Sequence, residues 1–93
     1  MLNETEIAAR LTALHGWERI GNAIAKRYTF ANHLETMAFL NAVAWIAHRS
    51  DHHPEIEAGY DHCRVSFTTH SAGGLTEKDF AAAARIDALL FTP

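Results

Sequence analysis

Three times in this chain a capping side chain stands three residues ahead of a carboxylate: Asn3 before Glu6, Asn32 before Glu35, and Thr76 before Asp79. An oxygen so placed accepts from the open N–H groups of a helix's first turn, where the dipole also favours the acid. Apolar residues at helical spacing follow each signal, so a helix is expected to start at each. The first runs over residues 4–14, with Ile7, Leu11 and Leu14 as its stripe and Gly16 as its stop. The second runs over 33–50 and carries Leu34, Met37, Phe39, Leu40, Val43, Trp45 and Ile46 around most of its circumference. A helix apolar on so many sides is covered from more than one direction. In a chain of 93 residues that calls for another subunit, so a homo-oligomer, dimer or tetramer, is expected through helix 33–50. The third helix, over 77–90, has Ala82, Ala83, Ile86, Leu89 and Leu90 on one stripe, with Pro93 closing the chain.

The segments between the helices read as hairpins. Residues 17–20 and 23–30 turn at Gly21-Asn22, and Ile24, Tyr28 and Phe30 share one face. Residues 55–58 and 62–69 turn around Gly59-Tyr60-Asp61, and Cys63, Val65 and Phe67 alternate with Arg64, Ser66 and Thr68. The order α-β-β-α-β-β-α predicts an α+β fold, a four-stranded antiparallel sheet with three helices on one face, as one domain over 1–93.

Composition narrows the function classes. A formal charge of −3 gives no basic excess for phosphate backbones, so direct nucleic-acid binding is not expected. The apolar stretch from Met37 to Ala47 is broken by Asn41 and too short to span a bilayer. Cys63 has no second cysteine to pair with, and the first residues are acidic where a signal peptide is basic, so a cytoplasmic protein is expected.

Histidine is over-represented, at seven residues, and His48, His52 and His53 fall within six positions. Its ordinary pKa lies nearest neutrality, which suits acid–base or metal chemistry. Pro54 ends the helix and presents His52 and His53 at an element boundary. The hairpin brings the 68–70 end back near Pro54, making His70 a candidate for the same site. His70 shares its phase with Arg64, Ser66 and Thr68, so that site must lie at the strand end. Metal binding is the rival: His48 and His52 are four apart on a helix, with His53 or His70 as a third ligand. Against it, there is no HExxH pattern, Pro54 restricts His53, and Cys63 has no CxxC partner.

The run His48-x₃-His52-His53-Pro54, five residues to Tyr60, nine to His70 and eight to Asp79 resembles the signature of the pterin-4a-carbinolamine dehydratases. Gly16-Trp17, Tyr28 and Phe30, and Gly74-Leu75-Thr76-Glu77-Lys78-Asp79 are similar to that family's layout, so the resemblance covers nearly the whole chain. It implies dehydration of 4a-hydroxytetrahydropterin to quinonoid dihydropterin, without metal or organic cofactor. It also implies recycling of the pterin used by aromatic amino acid hydroxylases. His52 and His70 match the proposed acid–base residues, His53 a substrate-contacting member of the catalytic set, and Trp17 an aromatic lining the pterin pocket. Asp51 is a hydrogen-bond candidate for the substrate, and His48 stands where many members carry an acid. Some animal members of the family are dimerisation cofactors of a homeodomain transcription factor, which makes a non-catalytic binding module the second rival.

The remaining candidates have plainer readings. Asp79 reads as a first-turn helix acid, structural and not catalytic. Lys26, Arg27 and Arg64 read as a solvated face, His15, His33 and His62 as surface residues, and Trp45 as part of a packing surface.

Overall fold

The structure is a computed structural model and describes residues 1–90; Pro93 lies outside the described residues. Its elements are α1 (Glu4–Thr12), β1 (Glu18–Ile20), β2 (Ala23–Thr29), α2 (His33–Ser50), β3 (Glu55–Ala58), β4 (His62–Phe67), a 3₁₀ turn (His70–Ala72) and α3 (Glu77–Ala88). The expected order and α+β class are found, with α2 at the expected bounds. Asn3 and Thr76 each close a full capping box, with Glu6 and Asp79 reaching back to the cap N–H. Asn32 accepts from the Glu35 N–H. α1 ends at Thr12, short of Leu14, because the Ala13 N–H already closes on Arg10 and Leu11 carbonyls. Gly16, expected as the stop, instead takes φ of +79° in the loop beyond.

The sheet order is β1-β2-β4-β3, all antiparallel. The register pairs Ile24 with Phe67, Lys26 with Val65 and Tyr28 with Cys63, which places these six on one face. The helices cover that face. Ile7 of α1, Phe39 and Val43 of α2, and Phe80, Ala83 and Ile86 of α3 join Ile24, Val65 and Phe67 in one buried cluster. Each large aliphatic or aromatic side chain buried there contributes about 1.5–3 kcal/mol. The other face carries Glu18, Arg27, Arg64, Glu55 and Glu57.

Lys26 departs from the solvated reading. It lies on the helix-facing side, and its Nζ reaches Asp87 of α3 at 2.9 Å. Asp87 also accepts from Trp17 Nε1 at 3.0 Å and Tyr28 Oη at 2.5 Å, tying β2 and the residue before β1 to the last turn of α3. Burial, with the Asp87 carboxylate beside it, holds the Tyr28 phenol above the ordinary tyrosine range. The cation of Lys26 also lies 4.8 Å from the centre of the Tyr28 ring.

Candidate active site

The site begins where α2 stops. Asp51 takes the left-handed conformation at φ 50°, which aspartate tolerates better than most residues. Its N–H closes on the Ala47 and His48 carbonyls, and the His52 N–H returns to Ala47. This turn throws the chain off the helix, and Pro54 carries it extended into β3. The first β3–β4 pair is Glu55 with Ser66, so the residues just before β3 run alongside Phe67 and the strand end. The His52 ring accordingly lies almost parallel to Phe67, with centroids 5.7 Å apart at 13°.

His52 Nε2 lies 2.6 Å from Oδ1 of Asp79, a side chain with no exposed surface. The other carboxylate oxygen of Asp79 accepts from Thr69 Oγ1 at 2.7 Å and from the Thr76 N–H at 2.9 Å. Thr76 Oγ1 in turn meets Thr69 Oγ1 at 2.8 Å. One oxygen thus completes the capping box of α3 while the other is left for His52. The N-terminal dipole of α3 favours the ionised carboxylate, which can only accept, so Nε2 carries the proton facing it. In a neutral imidazole Nδ1 then holds the lone pair. Among the described residues nothing bonds Nδ1, and no buried side-chain nitrogen or oxygen lacks a partner, so Nδ1 reaches the surface. The result is a mostly buried imidazole with one nitrogen anchored and the other presented outward.

Thr69 connects this network to the second histidine, since the next residue, His70, opens the 3₁₀ turn. His70 is exposed and borders a hollow of about 350 Å³ with Asn22, Ala23, Thr68, Gly73 and Gly74. His52 is not among the residues lining that hollow; it is linked through Asp79 to Thr69, the residue before His70.

The other sequence candidates are placed as follows. His53 is exposed, with no hydrogen-bonding partner among the described residues. Asp51 is exposed at the helix end. His48 is exposed on α2, edge-on to Trp45, and lines a separate hollow with Asn41, Ala44 and Trp45. Trp17 is only 6% exposed and packs between Tyr28 and Phe67, its N–H held by Asp87. Phe67 stacks on His52 and touches Trp17, so the indole supports the site from behind. Among the described residues, no three His, Cys, Asp or Glu side chains converge in a way that could hold a metal ion.

Asp79 is the first-turn acid expected from the sequence, and its bond to His52 and that of Thr69 to the same carboxylate were not expected. A capping acid needs only one oxygen for its helix, so a capping box closing beside a histidine-bearing strand end was the available signal.

A family profile described as pterin 4 alpha carbinolamine dehydratase matches residues 1–89. A protein of Nitrosospira multiformis named "Putative pterin-4-alpha-carbinolamine dehydratase" is 52% identical over 95% of this chain and 78% of its own length. A Bdellovibrio bacteriovorus protein of the same name is 51% identical over 95% of this chain and 77% of its own. The crystal structure of a transcriptional coactivator/pterin dehydratase from Brucella melitensis superposes with a TM-score of 0.92 at 33% identity, covering 97% of this chain and 98% of that one. A pterin dehydratase-like protein identified as a RuBisCO assembly factor in the alpha-carboxysome gives 0.72 at 30% identity, covering 85% and 94%.

Proposed function

Because the chain belongs to the pterin-4-alpha-carbinolamine dehydratase family, we propose that it is a hydro-lyase converting 4a-hydroxytetrahydropterin to quinonoid dihydropterin. The reaction breaks the C4a–O bond, removes the N5 proton and delivers a proton to the departing hydroxyl, so water leaves and no electrons are exchanged. It requires one group to take a proton and one to give it, each with a pKa near the working pH. His52 and His70 fill these roles, with His53 contacting the substrate. The observation that carries this reading is the 2.6 Å bond from His52 Nε2 to the buried Asp79 carboxylate. It fixes the ring's orientation, leaves Nδ1 as the working nitrogen and stabilises the imidazolium that forms when a proton is taken. Thr69 on the same carboxylate holds the backbone that presents His70. The pterin used by aromatic amino acid hydroxylases is the expected source of substrate.

A 7,8-dihydropterin keeps the flat ring and lacks the 4a-hydroxyl, so it is a suitable unreacted probe. Its addition shifts the imidazole resonances of both His52 and His70 saturably in NMR spectra. Shifts confined to one imidazole, or to neither, contradict a shared site.

Self-association through α2 is part of the same proposal. Thr36, Phe39, Val43 and Ala47 are spent on the core. Leu34 (79% exposed), Ala38, Asn41, Trp45 (69% exposed) and His48 remain on the outer side at alternating spacings of four and three. That is the seam spacing of packed helices. Leu34→Glu with Trp45→Glu is expected to reduce the mass measured by light scattering to that of one chain. An unchanged mass assigns any assembly to another surface.

A further inference from the structure

A second cleft, outside the histidine site, lies between the last turns of α2 and α3. It has a volume of about 510 Å³ and is lined by Ile46, Arg49, Ser50, Arg85 and Ala88. That is within the range of small-molecule sites, about 300–1,000 Å³. Every charged group in this lining is a guanidinium, in a chain whose formal charge is −3.

Arginines at the ends of helices ordinarily serve the open carbonyls there. Here four of those carbonyls already have backbone partners. Ala47 and His48 accept from Asp51 and His52, and Ile86 and Asp87 accept from Leu89 and Leu90. Arg85 instead donates Nη1 to Ser50 Oγ at 2.8 Å, which holds its guanidinium across the cleft. No carboxylate among the described residues pairs with Arg49 or Arg85. The nearby carboxylate of Asp87 is turned away and taken up by Trp17, Lys26 and Tyr28. The cleft therefore has two cationic forks with unused donors, one of them pre-oriented, beside the apolar side chains of Ile46 and Ala88. Guanidinium forks match the planar, two-oxygen geometry of carboxylate and phosphate groups.

We propose that this cleft binds an oxyanion, phosphate or carboxylate, carried on a small apolar body: the oxyanion between Arg49 and Arg85, the body against Ile46 and Ala88. The inference does not depend on the dehydratase reading, and its test does not use the reaction.

The probes are phenyl phosphate, benzoate and inorganic phosphate, titrated into the protein in its native assembly and followed by NMR. Phenyl phosphate or benzoate is expected to shift the Arg49 and Arg85 Nε–H signals and the Ile46 and Ala88 amides along one saturable curve. Comparing these two identifies which oxyanion the forks prefer. Inorganic phosphate binds more weakly than phenyl phosphate if the apolar wall contributes. Losing a charge-assisted hydrogen bond costs about tenfold in affinity, so Arg49→Gln with Arg85→Gln abolishes saturation in the same range. Arg85→Lys, which keeps the charge and loses the fork, weakens binding with the fold left intact. Shifts that stay linear in concentration, or that persist unchanged in both variants, overturn the proposal.

Discussion

His52→Ala is expected to lower the rate of carbinolamine dehydration by about 10²–10⁴-fold, the usual worth of a positioned general acid or base. Stopped-flow absorbance of the forming quinonoid dihydropterin measures it. The loss should appear in kcat more than in KM, because the imidazole's part is proton transfer at N5 or at the leaving hydroxyl and not the holding of the ring. His52→Ala also leaves one oxygen of a buried carboxylate without its partner, a penalty of about 1–3 kcal/mol. The comparison therefore belongs well below the unfolding midpoint. His70→Ala should match it in kcat with little cost in stability, since His70 is exposed and makes no buried bond. Equal kcat for wild type and His52→Ala would remove His52 from the proton transfer.

The largest effect on stability is expected from Asp79→Ala. The substitution removes the acceptor for His52, Thr69 Oγ1 and the Thr76 N–H together, and opens the capping box of α3. Each hydrogen bond to a charged group is worth about 1.5–3 kcal/mol and a helix cap about 1 kcal/mol, so their joint loss costs several kcal/mol, which urea denaturation reads as a lowered midpoint. Asp79→Asn separates folding from chemistry. It preserves the shape and one accepting oxygen, so much of the stability should remain. The amide lacks the charge that stabilises an imidazolium at His52, so kcat should fall while the urea midpoint stays closer to wild type than that of Asp79→Ala. A kcat identical to wild type would reduce Asp79 to a helix cap.

The sheet and helices were legible because their signals are local. Cys63, Val65 and Phe67 alternate without interruption, and all three are buried in β4. The three caps are found where an oxygen and an acid stand three apart. The bounds that slipped lie where tertiary contacts decide. α1 stops early because Ala13 closes it, and β4 ends at Phe67 before the Thr69–Gly74 bridge turns the chain. Lys26 was grouped with Arg27 and Arg64 as a solvated face, because its partner Asp87 is 61 residues away. The candidate site was legible as a set of histidines but not as a mechanism. The signature spacing singled out His52 and His70, yet Asp79 looked finished as a cap. Nothing in the order of residues states that its second oxygen lies 2.6 Å from an imidazole on a different element. Trp17 shows the converse. The family resemblance implied a pocket wall there, and in the structure the indole is buried, bonded to Asp87 and packed against Phe67.

The most direct measurement is the rate at which freshly formed 4a-hydroxytetrahydropterin loses water with and without the unmodified protein. Acceleration proportional to protein concentration, lost in both His52→Ala and His70→Ala, is the predicted result. A folded protein that leaves the spontaneous rate untouched at every concentration contradicts the account.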